Sequence, residues 1–132
     1  MKPIQLAFLR TIAVGAASFG LIGSAIALAF PTQRVILAVD RSFCPSDRWQ
    51  ATSQIYRDRY QAHQTRSIQI ARVVLVGDLG QDVLATPPKP EDFAKLTTFG
   101  QPNPAALDHW QNGQANPPDL KGVAVEVLRC GG

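Results

Sequence analysis

The first thirty residues constrain the fold of this chain more than any other feature of its sequence. Lys2 and Arg10 accompany an uncharged apolar run over residues 11–30, which is typical of a targeting segment and not of a folded core. Setting the segment aside leaves about one hundred residues, enough for one small domain with one hydrophobic core. The two basic residues also predict that the rest of the chain ends up across a membrane.

Two fates are open to this leader. The small-x-small tripeptide Ala27-Leu28-Ala29 has the form of a signal peptidase site and favours residues 1–29 as a cleaved signal peptide, followed by a single exported domain over residues 30–132. The apolar run is also about 20 residues long, enough to span a bilayer as an uncleaved anchor. Both fates predict a location in the periplasm or an equivalent lumen.

If residues 11–30 stay as an anchor, small side chains share one face of the helix at four-residue spacing: Ala16, Gly20 and Ser24. Such a face lets a second transmembrane helix approach closely, so a partner helix in the membrane is one expectation. Small residues are also common in signal sequences, which leaves the alternative that they have no such role.

The charge of the exported part is nearly balanced. Without Lys2 and Arg10, eleven basic residues face ten acidic ones, which argues against a nucleic-acid partner. The distribution is uneven, because residues 30–72 carry a net charge of +4 and residues 73–132 carry −3. The basic half could face an anionic surface or an acidic partner, or the two halves could neutralise each other on folding.

A strand followed by a helix opens the exported part. The run "QRVILAVD" over residues 33–40 is β-branched and apolar, as in a strand buried on both faces. Pro45, Ser46 and Asp47 then supply helix-start chemistry, with Ser46 as the predicted cap, and the helix should reach about His63. It should pack one aromatic side on the core at helical spacing: Trp49, Thr52, Tyr56, Tyr60 and His63.

The remainder predicts two or three more strands. Alternating and then continuous apolar residues over 68–76 indicate a second strand that ends in the turn Gly77-Asp78-Leu79-Gly80, with Val83 and Leu84 as a short hairpin partner. Alternation over residues 123–128 indicates a closing strand. Aspartate at the end of the first strand, Asp40, is expected to organise the following turn by accepting from backbone amides.

Between these strands, residues 87–118 contain seven of the ten prolines. Extended loops with short helical turns are expected there, with helix starts at Pro90 and at Asn103-Pro104 and a helix end at Gly113. Long irregular segments often carry contacts, so this segment is the first candidate for a partner surface, and a loop that merely covers the sheet is the alternative.

The two cysteines, Cys44 and Cys130, are predicted to form a disulfide, because exported chains fold where disulfides persist. Each follows a predicted strand, and two strand ends meet at one sheet edge only if the strands run in the same direction. We therefore expect the first strand to be central, with the second and the last strands parallel to it on either side. Alpha carbons more than about 7 Å apart would contradict this order.

The alternative is a reactive thiol at Cys44. A cysteine at a helix amino terminus near Arg41 and Arg48 would have a lowered pKa, as redox and nucleophilic cysteines require. Phe43-Cys44-Pro45-Ser46 resembles the peroxidatic-cysteine region of peroxiredoxins, and the strand-cysteine-helix order resembles the thioredoxin fold. The resemblance covers four residues, and Asp47 stands where a C-x-x-C motif has its second cysteine.

These observations together predict an α/β or α+β domain with a small, three- to four-stranded, mainly parallel sheet, one principal helix and one disulfide. The predicted function is that of an exported, non-enzymatic accessory or binding protein associated with a membrane or envelope protein complex, and the alternative is a thiol-dependent redox protein. No cofactor and no metal site are expected. The proposed partner surface combines four arginines with one aromatic residue: Arg41, Arg48, Arg57, Arg59 and Trp110.

Overall fold

The structure is a computed structural model that describes residues 5, 7, 9–17 and 31–132. The chain divides into two compact units, Met1–Pro31 and Thr32–Gly132. In the first unit residues 9–17 are helical. The predicted cleavage site, as well as Gly20 and Ser24, lies outside the described residues.

Of the helices described, none is both long and apolar enough to cross a bilayer.

Strand β1, Gln33–Asp40, is the central strand of the second unit, as predicted. It pairs in parallel with β2, Ile68–Gly77, on one side and in parallel with β4, Ala124–Leu128, on the other. Its last six residues are buried, which explains why their sequence is continuously apolar instead of alternating. At its end the Asp40 side chain accepts from the Ser42 backbone N–H at 3.0 Å, the turn bond expected from the sequence.

Strand β3, Gly80–Leu84, pairs antiparallel with β2 and forms the other sheet edge, so the order is β3-β2-β1-β4. The turn Asp78-Leu79 joins the two strands of this hairpin, as expected. The mixed four-stranded sheet with its helices confirms the α+β form of the predicted fold.

Helix α1, Ser46–Gln64, connects β1 to β2 across one face of the sheet. Its buried residues include Trp49 and Tyr56 on the predicted aromatic side. The predicted cap is wrong: the cap position belongs to Pro45, no side chain caps the helix, and Ser46 is already its first residue. Because the Pro45 carbonyl accepts from the Trp49 N–H at 2.8 Å, the helix begins one residue earlier than the Ser46 cap requires.

The proline-rich segment is more ordered than predicted, and a proline-rich loop is not confirmed. It forms helix α2, Pro90–Ala94, helix α3, Pro104–Gln111, and a 3₁₀ turn, Pro118–Leu120. Helix α3 has the expected start, since the Asn103 side chain accepts from the Ala106 N–H at 3.1 Å. The segment buries Phe93, Leu107 and Trp110 in the core, and the 3₁₀ turn that follows buries Leu120.

Two hydrophobic clusters lie on opposite faces of the sheet. The first packs α1 and α2 against alternate strand residues such as Leu37 and Val73. The second packs α3 and the 3₁₀ turn against the intervening residues, such as Ile36 and Val74. The sheet is therefore covered on both faces.

Candidate functional site

The two cysteines are joined, which confirms the predicted disulfide. Cys44, just before α1, is bonded to Cys130, just after β4, with alpha carbons 5.7 Å apart, inside the limit set from the sequence. The bond lies at the edge of the first cluster, and Cys44 is 5% exposed. A nucleophilic Cys44 requires a free thiol, and here its sulfur atom is bonded to that of Cys130.

Trp110 is the one member of the predicted partner surface that lies in the core. Its side chain is 3% exposed in the cluster under α3, and its indole N–H donates to Gln81 Oε1 at 2.9 Å. A buried tryptophan with a satisfied N–H is a core residue with a polar handle. Trp110 is therefore removed from the predicted surface.

The arginines of α1 do not share one face of the helix. Arg48 and Arg57 are nine residues apart, so they project from opposite sides at about 100° per residue. Arg48 and Arg59 share a side but lie about 16 Å apart along the axis. Arg59 is also engaged, because its guanidinium pairs with Glu126 at 2.8 Å. A single basic surface on α1 does not form.

The ion pairs favour the alternative in which the two halves of the chain neutralise each other. Of the four ion pairs found among the described residues, three join an arginine of residues 34–72 to an acid of the second half: Arg41–Asp82, Arg59–Glu126 and Arg72–Asp119. The charge imbalance seen in the sequence is thus reduced by folding.

A different surface emerges at the carboxyl ends of β1 and β2. Three large apolar side chains are exposed there, each from a different loop: Phe43 is 69% exposed, Leu79 is 84% exposed and Phe99 is 41% exposed. We call these three residues the strand-end surface. Single exposed apolar residues are ordinary in soluble proteins, whereas a contiguous exposed apolar patch is typical of a contact site, so these neighbouring loops are the candidate site.

Backbone hydrogen bonds hold the loops of the strand-end surface together. The Phe43 N–H donates to the Gly100 carbonyl at 3.1 Å, and the Phe99 N–H donates to the Arg41 carbonyl at 3.1 Å. The hairpin turn is joined to the same loop, because Asp78 Oδ2 accepts from the Gln101 N–H at 3.0 Å. The three apolar side chains are therefore presented on a fixed framework.

Gly100 is needed for this arrangement. Its φ of 79° lies in the left-handed region, and a β carbon there would overlap the Asp78 carboxylate. The backbone angle therefore disfavours a larger residue, and the Asp78 side chain would have to move to admit one.

Arg41, a predicted site residue, lies at this surface. Its Nε donates to the Thr97 carbonyl at 3.0 Å, its guanidinium pairs with Asp82 at 3.1 Å, and it lies over the Phe99 ring at 5.0 Å from the centroid. Its side chain is 22% exposed, whereas that of Asp82 is 68% exposed. Arg41 therefore supports the Phe99 ring, and Asp82 presents the more accessible charge.

An open cleft of about 330 Å³ runs beside these residues. Leu79 and Phe99 form apolar walls, Leu75 of β2 contributes to the lining, and Arg41 and Asp82 form a polar side. Parallel strands commonly place ligand sites beyond their carboxyl ends, which is where this cleft lies.

A second open cleft, of about 440 Å³, lies at the amino ends of β1 and β2. It is lined mainly by polar side chains, including His63, Arg66 and Gln69. His63 has a structural contact here, since its Nδ1 accepts from the Ile70 N–H at 3.2 Å. Ile70 adjoins a bulge in β2, where Val35 pairs with Ile70 but the next residue pairs with Arg72.

The sequence analysis predicted the disulfide and named Arg41, but it missed the three apolar residues. Phe43, Leu79 and Phe99 are isolated in turns and loops, where no periodicity marks an exposed side chain. Only the neighbouring residues indicated exposed loop positions: Leu79 lies between aspartate and glycine in a turn, and Phe99 immediately precedes Gly100.

Comparisons with protein-family models, with curated proteins and with solved structures find no match to this chain. Functional inference accordingly depends on the surface itself.

Proposed function

We propose that this chain is an exported, non-enzymatic binding protein that contacts a protein of a membrane or envelope complex through the strand-end surface. The observation that carries the proposal is the exposure of Phe43, Leu79 and Phe99 on loops that are hydrogen-bonded to one another at one end of the sheet. Covering such side chains releases water from apolar area, which is worth about 2 kcal/mol for each fully buried residue.

The rigidity of this surface supports recognition of a partner. The loops are connected by backbone hydrogen bonds and by the Asp78 side chain, and Arg41 lies over the Phe99 ring. A surface that is already ordered loses little conformational entropy when a partner covers it. The three side chains are therefore suited to act as anchors at the centre of an interface.

Export is supported by two independent features. The leader has basic residues followed by an apolar run and a small-x-small tripeptide. The disulfide is compatible with an oxidising compartment. We place the domain in the periplasm or an equivalent lumen, with the leader either removed or kept as an anchor.

Site-specific photocrosslinking in living cells tests the binding proposal. A photoreactive benzoylphenylalanine is placed at position 79 or 43, and as a matched control at the exposed position of Gln61 on α1. We expect the same protein adduct from positions 79 and 43, none from position 61, and loss of the adduct when Phe99→Ser is added. Equal adducts from all three positions, lipid adducts only, or none from positions 79 and 43 would contradict the proposal.

Export is tested separately by adding protease to intact cells and to cells whose outer layers are permeabilised. Digestion of the domain only after permeabilisation, with both cysteines protected from a maleimide until reductant is added, is the expected outcome. A protease-resistant domain with reactive thiols would place the chain in the cytoplasm.

A further inference from the structure

The charge that the cleft exposes to solvent is mainly negative. Of the described residues that line the cleft, Arg41 is the basic one, and it contacts Thr97, Asp82 and Phe99. Asp82 keeps 68% of its side chain exposed on the same lining. Asp78, next to Leu79 in the hairpin turn, is also exposed.

We infer that the strand-end surface binds a peptide segment of its protein partner in which an aliphatic or aromatic side chain stands next to a lysine or arginine. This inference rests on the proposed function and names the chemistry of the partner. The apolar side chain enters the cleft between Leu79 and Phe99, and the cation lies against Asp78 and Asp82. Charge complementarity of this kind fixes the register of a bound segment and excludes acidic partners.

Lipid is the less suitable occupant on the same evidence. Apolar loops that insert into membranes are favoured by neighbouring lysines and arginines, because the lipid surface is commonly anionic. Here Asp78, beside Leu79, and Asp82, on the cleft lining, are more exposed than Arg41, the basic residue that pairs with Asp82. Their desolvation and their repulsion from anionic headgroups oppose insertion.

Asp78 permits a test of charge alone. Its Oδ2 accepts one hydrogen bond from the Gln101 N–H. Asp78→Asn removes the charge and retains an oxygen that can accept the same bond. Asp58 on α1 provides the matched control, because it is also exposed and also accepts one hydrogen bond, from Gln54 at 3.1 Å.

The experiment selects a phage-displayed library of random decapeptides on the full chain, purified in mild detergent with its disulfide intact. We expect the selected peptides to pair an apolar residue with an adjacent lysine or arginine. A labelled synthetic copy of the most enriched peptide should then bind at least about tenfold more weakly to Leu79→Ser, and about threefold more weakly to Asp78→Asn with a reduced salt dependence.

Two control variants distinguish a loss of peptide contacts from a change in folding. Asp58→Asn should leave the peptide affinity unchanged, and so should Val83→Ser, which removes an exposed apolar side chain from the other face of the hairpin. Thermal unfolding of each variant checks that the fold is retained.

The outcomes separate the inference from the proposed function. Peptides that need Leu79 but show no basic preference and no response to Asp78→Asn overturn the inference and leave the binding surface in place. Peptides indifferent to Leu79→Ser contradict both. Failure to select any peptide, together with Leu79-dependent binding to vesicles of phosphatidylcholine and phosphatidylglycerol, also overturns both and assigns the surface to lipid.

Discussion

The two faces of the sheet are covered in different ways. On the α1 face, a helix of 19 residues packs with an aromatic stack in which Tyr56 lies 3.8 Å and Trp49 lies 5.2 Å from the Phe93 ring. On the α3 face, a helix of 8 residues and a 3₁₀ turn cover mainly aliphatic strand residues. The elements on the α1 face include the disulfide, whereas those on the α3 face are held by packing and by hydrogen bonds to the sheet, such as that from Trp110 to Gln81.

The helices on the two faces differ in what stabilises them. A 19-residue helix has length and periodicity of its own, whereas an 8-residue helix is not stable in water without tertiary contacts. Helix α3 is therefore stabilised by Leu107 and Trp110, which pack against the sheet. We expect the α3 face to open before the α1 face.

The largest effect should come from the disulfide on the α1 face. Cys44→Ala together with Cys130→Ala removes a link across 86 positions of sequence. The chain-entropy model then predicts a loss of about 4–5 kcal/mol in the free energy of unfolding, because the unfolded chain is no longer constrained. Urea denaturation of the wild type and the double variant, under identical non-reducing conditions, measures it.

Reduction of the wild-type protein serves as the control for side-chain packing. The reduced wild type and the double variant should unfold within about 1 kcal/mol of each other, because both lack the link. A loss below about 1 kcal/mol in both would show that the link adds little to the stability of the α1 face.

Leu107→Ala should lower the free energy of unfolding by about 3 kcal/mol, because the side chain is 1% exposed and its removal leaves a cavity under α3. Hydrogen exchange should rise most in residues 104–120 and little in β1, since the α3 face opens as a local unit. The exposed Ala105→Ser is the matched control on the same helix. Uniform acceleration across β1 would show that the two faces open together.

The sequence predicted the arrangement of the central strands, because the residues of those strands and the cysteines after them carry a clear signal. The continuous apolar run of β1 predicted a central strand, and the cysteines after β1 and β4 predicted that these strands are parallel. The helix and the 3₁₀ turn that pack on the α3 face could not be predicted in the same way. Seven prolines suggested loops, but Pro90, Pro104 and Pro118 each lie at the first position of a short helix or turn, where proline is tolerated.

The candidate site was less accessible from sequence, for a physical reason. Exposure of Phe43, Leu79 and Phe99 depends on how three loops meet after the sheet has formed, and no local pattern encodes that. Trp110 illustrates the converse error, because a tryptophan in a proline-rich segment suggested a surface and packs in the core instead.

Tyr56 tests the polar part of the α1 face. Its hydroxyl donates to the Pro88 carbonyl at 2.7 Å, so Tyr56→Phe should cost about 1 kcal/mol at neutral pH. Burial, and then the neighbouring Tyr60, raises the pKa of the Tyr56 hydroxyl above its ordinary value. The folded state therefore favours the neutral hydroxyl.

The sign of the pH effect follows from that shift. In the unfolded chain this tyrosine has a pKa of about 10. The stabilisation that the Tyr56 hydroxyl gives to the folded state is therefore complete below that pH and is lost as the pH rises through the higher pKa of the folded state. Chemical denaturation between neutral pH and pH of about 11 should show the gap between wild type and Tyr56→Phe narrowing. A constant gap would contradict the role of burial, and Tyr60→Phe controls for loss of the neighbouring hydroxyl.

The smallest effects concern the ends of the two covering helices, which use the same motif with different residues. After α1, the Ser67 N–H donates to the Ala62 carbonyl at 2.9 Å and the Arg66 N–H to the His63 carbonyl at 3.1 Å. After α3, Gly113 and Gln114 make the equivalent bonds. The residue in the left-handed conformation is Arg66, with φ of 61°, in one case and Gly113, with φ of 70°, in the other.

Because a β carbon disfavours the left-handed region, Arg66→Gly should stabilise the domain by about 0.5–1 kcal/mol, and Gly113→Ala should destabilise it by about 1 kcal/mol. Arg66→Ala is the control that removes the arginine side chain without relieving the backbone, and it should fall close to the wild type. Thermal and urea unfolding of the three variants measure the series. If Arg66→Gly is no more stable than Arg66→Ala, the end of α1 carries no backbone strain, and the two helix ends differ in sequence but not in energy.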